Sequence, residues 1–149
     1  MLTRTYQVEV LATPEVVWQV LTEKKLYEKW AKAFSPRSQF EGEWKEGSSI
    51  YFFDPDLGGT RAIIDRIETY REIAYTHIAI SNPEHVKDLD SDTAQKWIGT
   101  REHYQITPNQ ESVSLKVVID THPDFVDMLD DGWKKAFPLI KVISEQQGR

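Results

Sequence analysis

The sequence predicts an α+β fold in which a curved seven-stranded antiparallel sheet surrounds a long C-terminal helix. Three observations predict it. A strand near the N-terminus leads directly into two short helices, six segments of alternating hydrophobicity follow, and one long amphipathic segment ends the chain. Alternation with period two is typical of half-buried strands, whereas apolar spacings of three and four indicate a helix. A length of 149 residues suffices for one core, so residues 1–149 are expected to form a single domain.

The N-terminal elements follow from local chemistry. Residues 3–11 alternate between apolar and polar side chains and predict the first strand. Thr13 is the expected N-cap of the first short helix, and Pro14 fits its first turn, where the missing N–H costs no hydrogen bond. The two helices each present one apolar face, formed by Val16, Val17, Val20 and Leu21 and by Leu26, Tyr27 and Trp30.

Six further strands are predicted in the middle of the chain, over residues 39–44, 49–54, 60–69, 72–80, 98–107 and 112–120. Short turn-like joints separate most of them, which favours an antiparallel meander. Residues 81–96 form a long acidic insertion that we interpret as a loop, either a functional lid or a disordered segment.

The last element is a helix predicted over residues 123–146. Its apolar stripe consists of Phe125, Leu129, Trp133, Phe137, Ile140 and Ile143. A stripe of this kind has to be buried, and the sheet is the surface available to cover it.

Composition limits the classes of function. The net charge is −6, from 18 basic and 24 acidic residues, and no Lys/Arg cluster is present, so nucleic acid is not an expected partner. The absence of cysteine excludes disulfides, a cysteine nucleophile and thiolate zinc sites, and it fits the reducing cytoplasm, which is the predicted location. The N-terminus lacks a signal-peptide pattern, and no apolar run reaches membrane-spanning length.

Several short motifs occur in order along the chain, namely ATPEVVW at 12–18 with Trp30, WKEGS at 44–48, FFDPD at 52–56, and Gly132-Trp133 four residues before Phe137. They resemble the START-like (SRPBCC) superfamily and, within it, proteins related to the C-terminal domain of the heat-shock-protein-90 ATPase activator. His77, followed by WIGTREHY at 97–104, is similar to a bacterial subgroup of small members. The resemblance implies a helix-grip fold whose apolar cavity often holds a small hydrophobic molecule. It implies no activity, because members include carriers, cyclases and co-chaperone-like domains.

His77 and Glu102 are the candidate polar pair. If Ile80 lies opposite Gly99, an antiparallel register places His77 opposite Glu102, within reach of its side chain. A carboxylate beside an imidazole in an apolar pocket could act as a general acid–base pair. The alternative is a buried, mutually satisfied polar pair, or one that orients Tyr104.

Aromatic side chains recur among the sheet and helix positions, and they could line a pocket or belong to an ordinary core. The predicted ligand-binding residues are Phe52, Tyr75, His77, Trp97, Glu102, Tyr104, Trp133 and Phe137. The leading hypothesis is binding of a small hydrophobic molecule between sheet and helix. The alternatives are an enzyme that uses His77 and Glu102, and a protein-interaction module that contacts a chaperone.

No motif predicts a metal or a cofactor. The histidines lack the spacing of a zinc site or a facial triad. Gly58-Gly59 leads into a strand rather than a helix, so it does not form a phosphate-binding loop. No GxSxG nucleophile elbow occurs. The chain is expected to be a monomer or a homodimer.

Overall fold

The computed structural model describes residues 1–147. Residues 148 and 149, which the single-domain prediction includes, lie outside the described residues. The elements in chain order are β1 (Leu2–Val10), α1 (Pro14–Thr22), α2 (Lys24–Ala31), β2 (Gln39–Gly42), β3 (Ser49–Asp54), β4 (Gly58–Glu68), β5 (Glu72–Ser81), β6 (Lys87–Asp88), α3 (Asp92–Trp97), β7 (Arg101–Pro108), β8 (Val113–Thr121) and α4 (Val126–Gln147). A 3₁₀ turn, Pro123–Phe125, precedes α4.

The strands form one antiparallel sheet in the order β1-β8-β7-β5-β4-β3-β2, and β6 pairs only with β5. Neighbours along the path are mostly neighbours in sequence, as expected of a meander. The predicted α+β helix-grip fold is confirmed. The strand number needs one correction, because β6 is an eighth strand of two residues whose Asp88 pairs with Ile80. A strand of two residues is too short to produce a detectable alternation.

The insertion at 81–96 is not a structureless loop, and that prediction was wrong. It contains β6 and most of helix α3. The Ser91 side chain caps α3, since Ser91 Oγ accepts a hydrogen bond from the backbone N–H of Ala94 at 3.1 Å. The helix runs on to Trp97, and β7 therefore begins at Arg101 instead of residue 98.

The two N-terminal helices are held by a side-chain cap on α1 and by an indole hydrogen bond between α1 and α2. Thr13 is the N-cap of α1, as predicted, and its Oγ1 accepts from the Val16 N–H at 3.3 Å. Trp30 Nε1 donates to the Val20 carbonyl at 2.8 Å, which ties α2 to α1. The connection after α2 then packs on α4 at Gly132, where a Cβ would overlap the ring of Phe34. Glycine at this position therefore allows α2 and α4 to close one end of the sheet.

Candidate functional site

A cavity of about 270 Å³ lies between α2, α4 and the inner face of the sheet. Nine aromatic residues line it: Tyr27, Trp30, Phe34, Phe52, Phe53, Tyr75, Trp97, Tyr104 and Trp133. Protein cores are close-packed, so an opening of this size is not expected of a filled core. Since a dry cavity of about 150 Å³ holds benzene, this one has room for about two fused aromatic rings.

The polar wall of the cavity centres on His77. Its Nε2 donates to Glu102 Oε2 at 2.6 Å, and its Nδ1 shares a hydrogen bond with Thr60 Oγ1 at 2.7 Å. Thr60 Oγ1 also accepts from Trp97 Nε1 at 2.8 Å. His77 is 2% exposed and Glu102 is 7% exposed, so the pair is shielded from solvent. Both ring nitrogens of His77 are thus engaged by the protein itself.

The same chain of hydrogen bonds continues on the other side of Glu102. Tyr104 OH donates to Glu102 Oε1 at 2.9 Å, and the hydroxyls of Tyr75 and Tyr104 lie 3.0 Å apart. Because the Tyr104 hydroxyl donates its hydrogen bond to Glu102, it acts as the acceptor for the hydroxyl of Tyr75. Each carboxylate oxygen of Glu102 therefore receives one hydrogen bond from a buried side chain.

The predicted contact between His77 and Glu102 is confirmed, but the predicted register was wrong by two residues. Tyr75, not His77, pairs with Glu102 across β5 and β7. The backbone N–H of His77 instead donates a hydrogen bond to the carbonyl of Thr100 at 2.9 Å, and Thr100 is the residue just before β7. The two side chains meet along the diagonal, which long polar side chains on one sheet face can span.

Burial and charge raise the pKa of the two cavity phenols. The pKa of Tyr75 and that of Tyr104 lie well above the ordinary value, first because the rings are buried and then because the Glu102 carboxylate opposes a second negative charge. Both hydroxyls remain protonated and act as donors at neutral pH.

These shifts predict that stability falls in alkaline solution. Above about pH 10 the tyrosines of the unfolded chain lose protons that Tyr75 and Tyr104 retain in the folded protein. The free energy of unfolding should decrease as pH rises, by up to about 1.4 kcal/mol per pH unit for each retained proton. The measurement is urea unfolding between pH 9.5 and 11.5. The variant Tyr75→Phe should show a shallower decrease, and a slope equal to that of the unaltered protein would contradict the assignment.

Seven of the eight predicted ligand-binding residues line the cavity; the exception is Phe137. It lies one turn beyond Trp133 on α4, at a ring-centroid distance of 5.1 Å. Phe137 faces a separate groove between β1 and α4 instead. The correction has a simple geometric reason, because the cavity extends along α4 only from Met128 to Trp133.

Sequence reasoning missed several lining residues. Tyr27 and Trp30 were assigned to a helix face that packs on the sheet, and their spacing is the same for core and for cavity wall. Thr60, which links Trp97 to His77, carried no recognisable signal. Asp54, the last residue of a predicted strand, carried no signal either, yet it is buried and lines the cavity. The backbone N–H of Asp56, more than any other group, lowers the pKa of the Asp54 carboxyl.

The part of the chain that the structure describes contains neither a cluster of metal ligands nor a membrane-spanning helix. Within residues 1–147, no three His, Asp or Glu side chains lie close enough together to hold a metal ion. No helix in that part of the chain is long and apolar enough to cross a membrane.

Comparison with solved structures supports the fold. The chain is similar to the Aha1 dimer of Colwellia psychrerythraea, with a TM-score of 0.75, 18% identity and 97% of both chains covered. It is also similar to protein MLL2253 of Mesorhizobium loti, with a TM-score of 0.71, 17% identity and 96% of this chain and 98% of that chain covered. DynU16, from the dynemicin biosynthetic locus, gives a TM-score of 0.72 at 14% identity. That match covers 98% of this chain but only 48% of DynU16.

Family membership rests on a separate comparison. No curated protein matches the chain. The model of one family does match, over residues 11–143, and this range includes every element from α1 to most of α4. The chain belongs to the family of Activator of Hsp90 ATPase homolog 1-like proteins, within the START-like superfamily.

Proposed function

We propose that this protein binds a small, neutral, hydrophobic molecule in the cavity between the sheet, α2 and α4. The observation that carries the proposal is an open volume of about 270 Å³ whose wall is mostly apolar and includes nine aromatic side chains. Ligand sites are typically apolar with a few fixed polar groups, and this cavity has that composition. The carboxylates of Glu102 and Asp54 both border it, so an anionic ligand would be repelled.

The hydrogen bonds of the polar wall favour binding over acid–base catalysis. A general base needs a free lone pair within reach of the substrate. Both nitrogens of His77 and both oxygens of Glu102 are already engaged by Thr60, Tyr104 and each other. Acid–base catalysis by His77 therefore requires one of these bonds to break first, whereas a binding site uses them as they stand, to hold the wall rigid.

Filling the cavity should abolish binding. Leu129 is 4% exposed and lines the cavity from α4, so Leu129→Phe adds volume where a ligand would lie. In a fluorescence titration with the neutral two-ring probe 1-naphthylamine, Leu129→Phe should bind the probe at least about tenfold more weakly than the unaltered protein. Native mass spectrometry of the protein from its own cells should show a retained small molecule in the unaltered chain alone.

The matched control is Leu139→Phe, the same substitution on the same helix. Leu139 packs against the core and does not border the cavity, so probe binding should be unchanged. Thermal unfolding checks that both variants fold. Equal probe affinity for all three proteins would overturn the proposal.

Family membership supports a second candidate, a co-chaperone that acts through its outer surface. Such a protein should change the ATPase rate of an Hsp90 chaperone. The Leu129→Phe variant should change that rate as much as the unaltered protein does, because the substitution lies in the cavity and not on the outer surface. A ligand-binding protein without this role should leave the rate unaffected. The homodimer, suggested by the dimeric Aha1 neighbour, and the cytoplasmic location remain predictions.

A further inference from the structure

The polar groups of the cavity wall are almost all bonded to one another. The chain from Trp97 through Thr60 and His77 to Glu102 uses each donor it contains. Ser35 and Ser38, which also line the cavity, bond to each other at 2.5 Å, and this bond uses one of their two hydroxyl protons. The bonded chain itself therefore offers a ligand no free donor.

Two residues of the wall depart from this pattern. Trp133 Nε1 has no partner among residues 1–147, but that atom is fully buried and a ligand in the cavity does not reach it. Tyr27 also lines the cavity, its side chain is only half-buried, and no hydrogen bond joins its hydroxyl to the described residues. The ring is held in place by Trp30, Phe40 and Phe52, at centroid distances of 4.8, 5.0 and 6.1 Å. A fixed ring with an unused hydroxyl is a preorganised donor, so a ligand that accepts this hydrogen bond does not have to order the protein first.

The charge state of Tyr27 defines what it can recognise. Burial, and secondarily the Glu102 carboxylate, raises the pKa of its phenol well above the usual value, so the hydroxyl carries its proton at neutral pH. It can donate one hydrogen bond to an acceptor. A carbonyl oxygen suits this role, because it accepts a hydrogen bond and has no proton that would need a further partner.

We propose that Tyr27 is the specificity-determining residue of the cavity and that it donates a hydrogen bond to the carbonyl oxygen of a neutral aromatic ligand of about two fused rings. The proposal rests on the proposed function, since it assigns the ligand class for the same cavity. The ring count follows from the volume of about 270 Å³ and the nine aromatic side chains of the wall.

The test compares two probes of the same shape, 2-acetylnaphthalene and 2-isopropenylnaphthalene, which differ by replacement of the carbonyl oxygen with a methylene group. Calorimetric titration gives both dissociation constants for the unaltered protein and for Tyr27→Phe. The preference for the ketone over the alkene should fall by about fivefold to tenfold in Tyr27→Phe. The carbonyl stretch of the bound ketone should also move to higher frequency, which a purely structural role of Tyr27 would not cause.

The matched control is Tyr51→Phe, which removes a tyrosine hydroxyl that is bonded to His85 and does not border the cavity. It should leave the ketone preference unchanged. Tyr27→Phe should also keep the thermal stability of the unaltered protein, because the hydroxyl it removes has no partner.

The outcomes separate the two proposals. If both probes bind but the ketone preference is the same in Tyr27→Phe, the role of Tyr27 is overturned and the binding function stands. If Tyr51→Phe lowers the preference as much as Tyr27→Phe does, the loss is not caused by the cavity hydroxyl and the inference is wrong. If neither probe binds the unaltered protein, the binding function fails together with the inference.

Discussion

Replacing Glu102 by leucine is expected to lower the free energy of unfolding by about 3–5 kcal/mol. The carboxylate accepts from His77 at 2.6 Å and from Tyr104 at 2.9 Å, and all three residues are buried. Leucine leaves both buried donors without their acceptor, and each unmet donor carries its own desolvation cost. Urea unfolding at neutral pH measures the loss.

The chain offers a matched control on the other side of the same strands. His103 Nε2 lies 2.5 Å from Glu72 Oε1, but the side chains are 25% and 20% exposed. Glu72→Leu should cost no more than about 1 kcal/mol, because solvent replaces the lost contacts with His103 and Arg66.

A double substitution tests the cause. Adding His77→Leu to Glu102→Leu removes the imidazole donor that has lost its acceptor. The double variant should therefore recover part of the lost free energy of unfolding. Equal losses for Glu102→Leu and Glu72→Leu would contradict the interpretation of the buried pair.

Local signals predicted the elements of the fold well. Thr13 followed by Pro14 marks the start of α1 because capping and the proline ring act within one turn. Alternation predicted the seven long strands, since burial of one sheet face imposes period two on the sequence. The pairing of successive strands then followed from the short turns between them.

The register of β5 against β7 could not be predicted in the same way. The register depends on the position at which α3 and the turn after it place Arg101, the first residue of β7. A helix of six residues is too short to show a periodic pattern from which that position could be predicted. The contact between His77 and Glu102 was nevertheless anticipated, because a shift of two residues keeps every side chain on its original face.

The extent of the cavity could not be predicted from the sequence either. Whether Tyr27 or Phe137 faces open volume depends on how far the sheet stands from α2 and α4, a distance set by the whole core. Aromatic spacing shows which side of an element is buried and not whether the neighbouring space is filled.

Gly59→Ala is expected to destabilise the protein by about 3 kcal/mol or more, for a steric reason alone. Gly59 pairs with Phe53 in the β3–β4 ladder, and a Cβ there would overlap the carbonyl oxygen of Phe52 and lie 2.6 Å from the Phe53 Cα. Both are backbone atoms, so relief requires the strands to separate. The control is Gly47→Ala, since Gly47 has φ +82° and nothing within 4 Å of an added Cβ. Gly47→Ala should lower the free energy of unfolding by only about 1–2 kcal/mol, the cost of placing alanine in a left-handed conformation. A loss equal to or larger than that of Gly59→Ala would contradict the steric explanation.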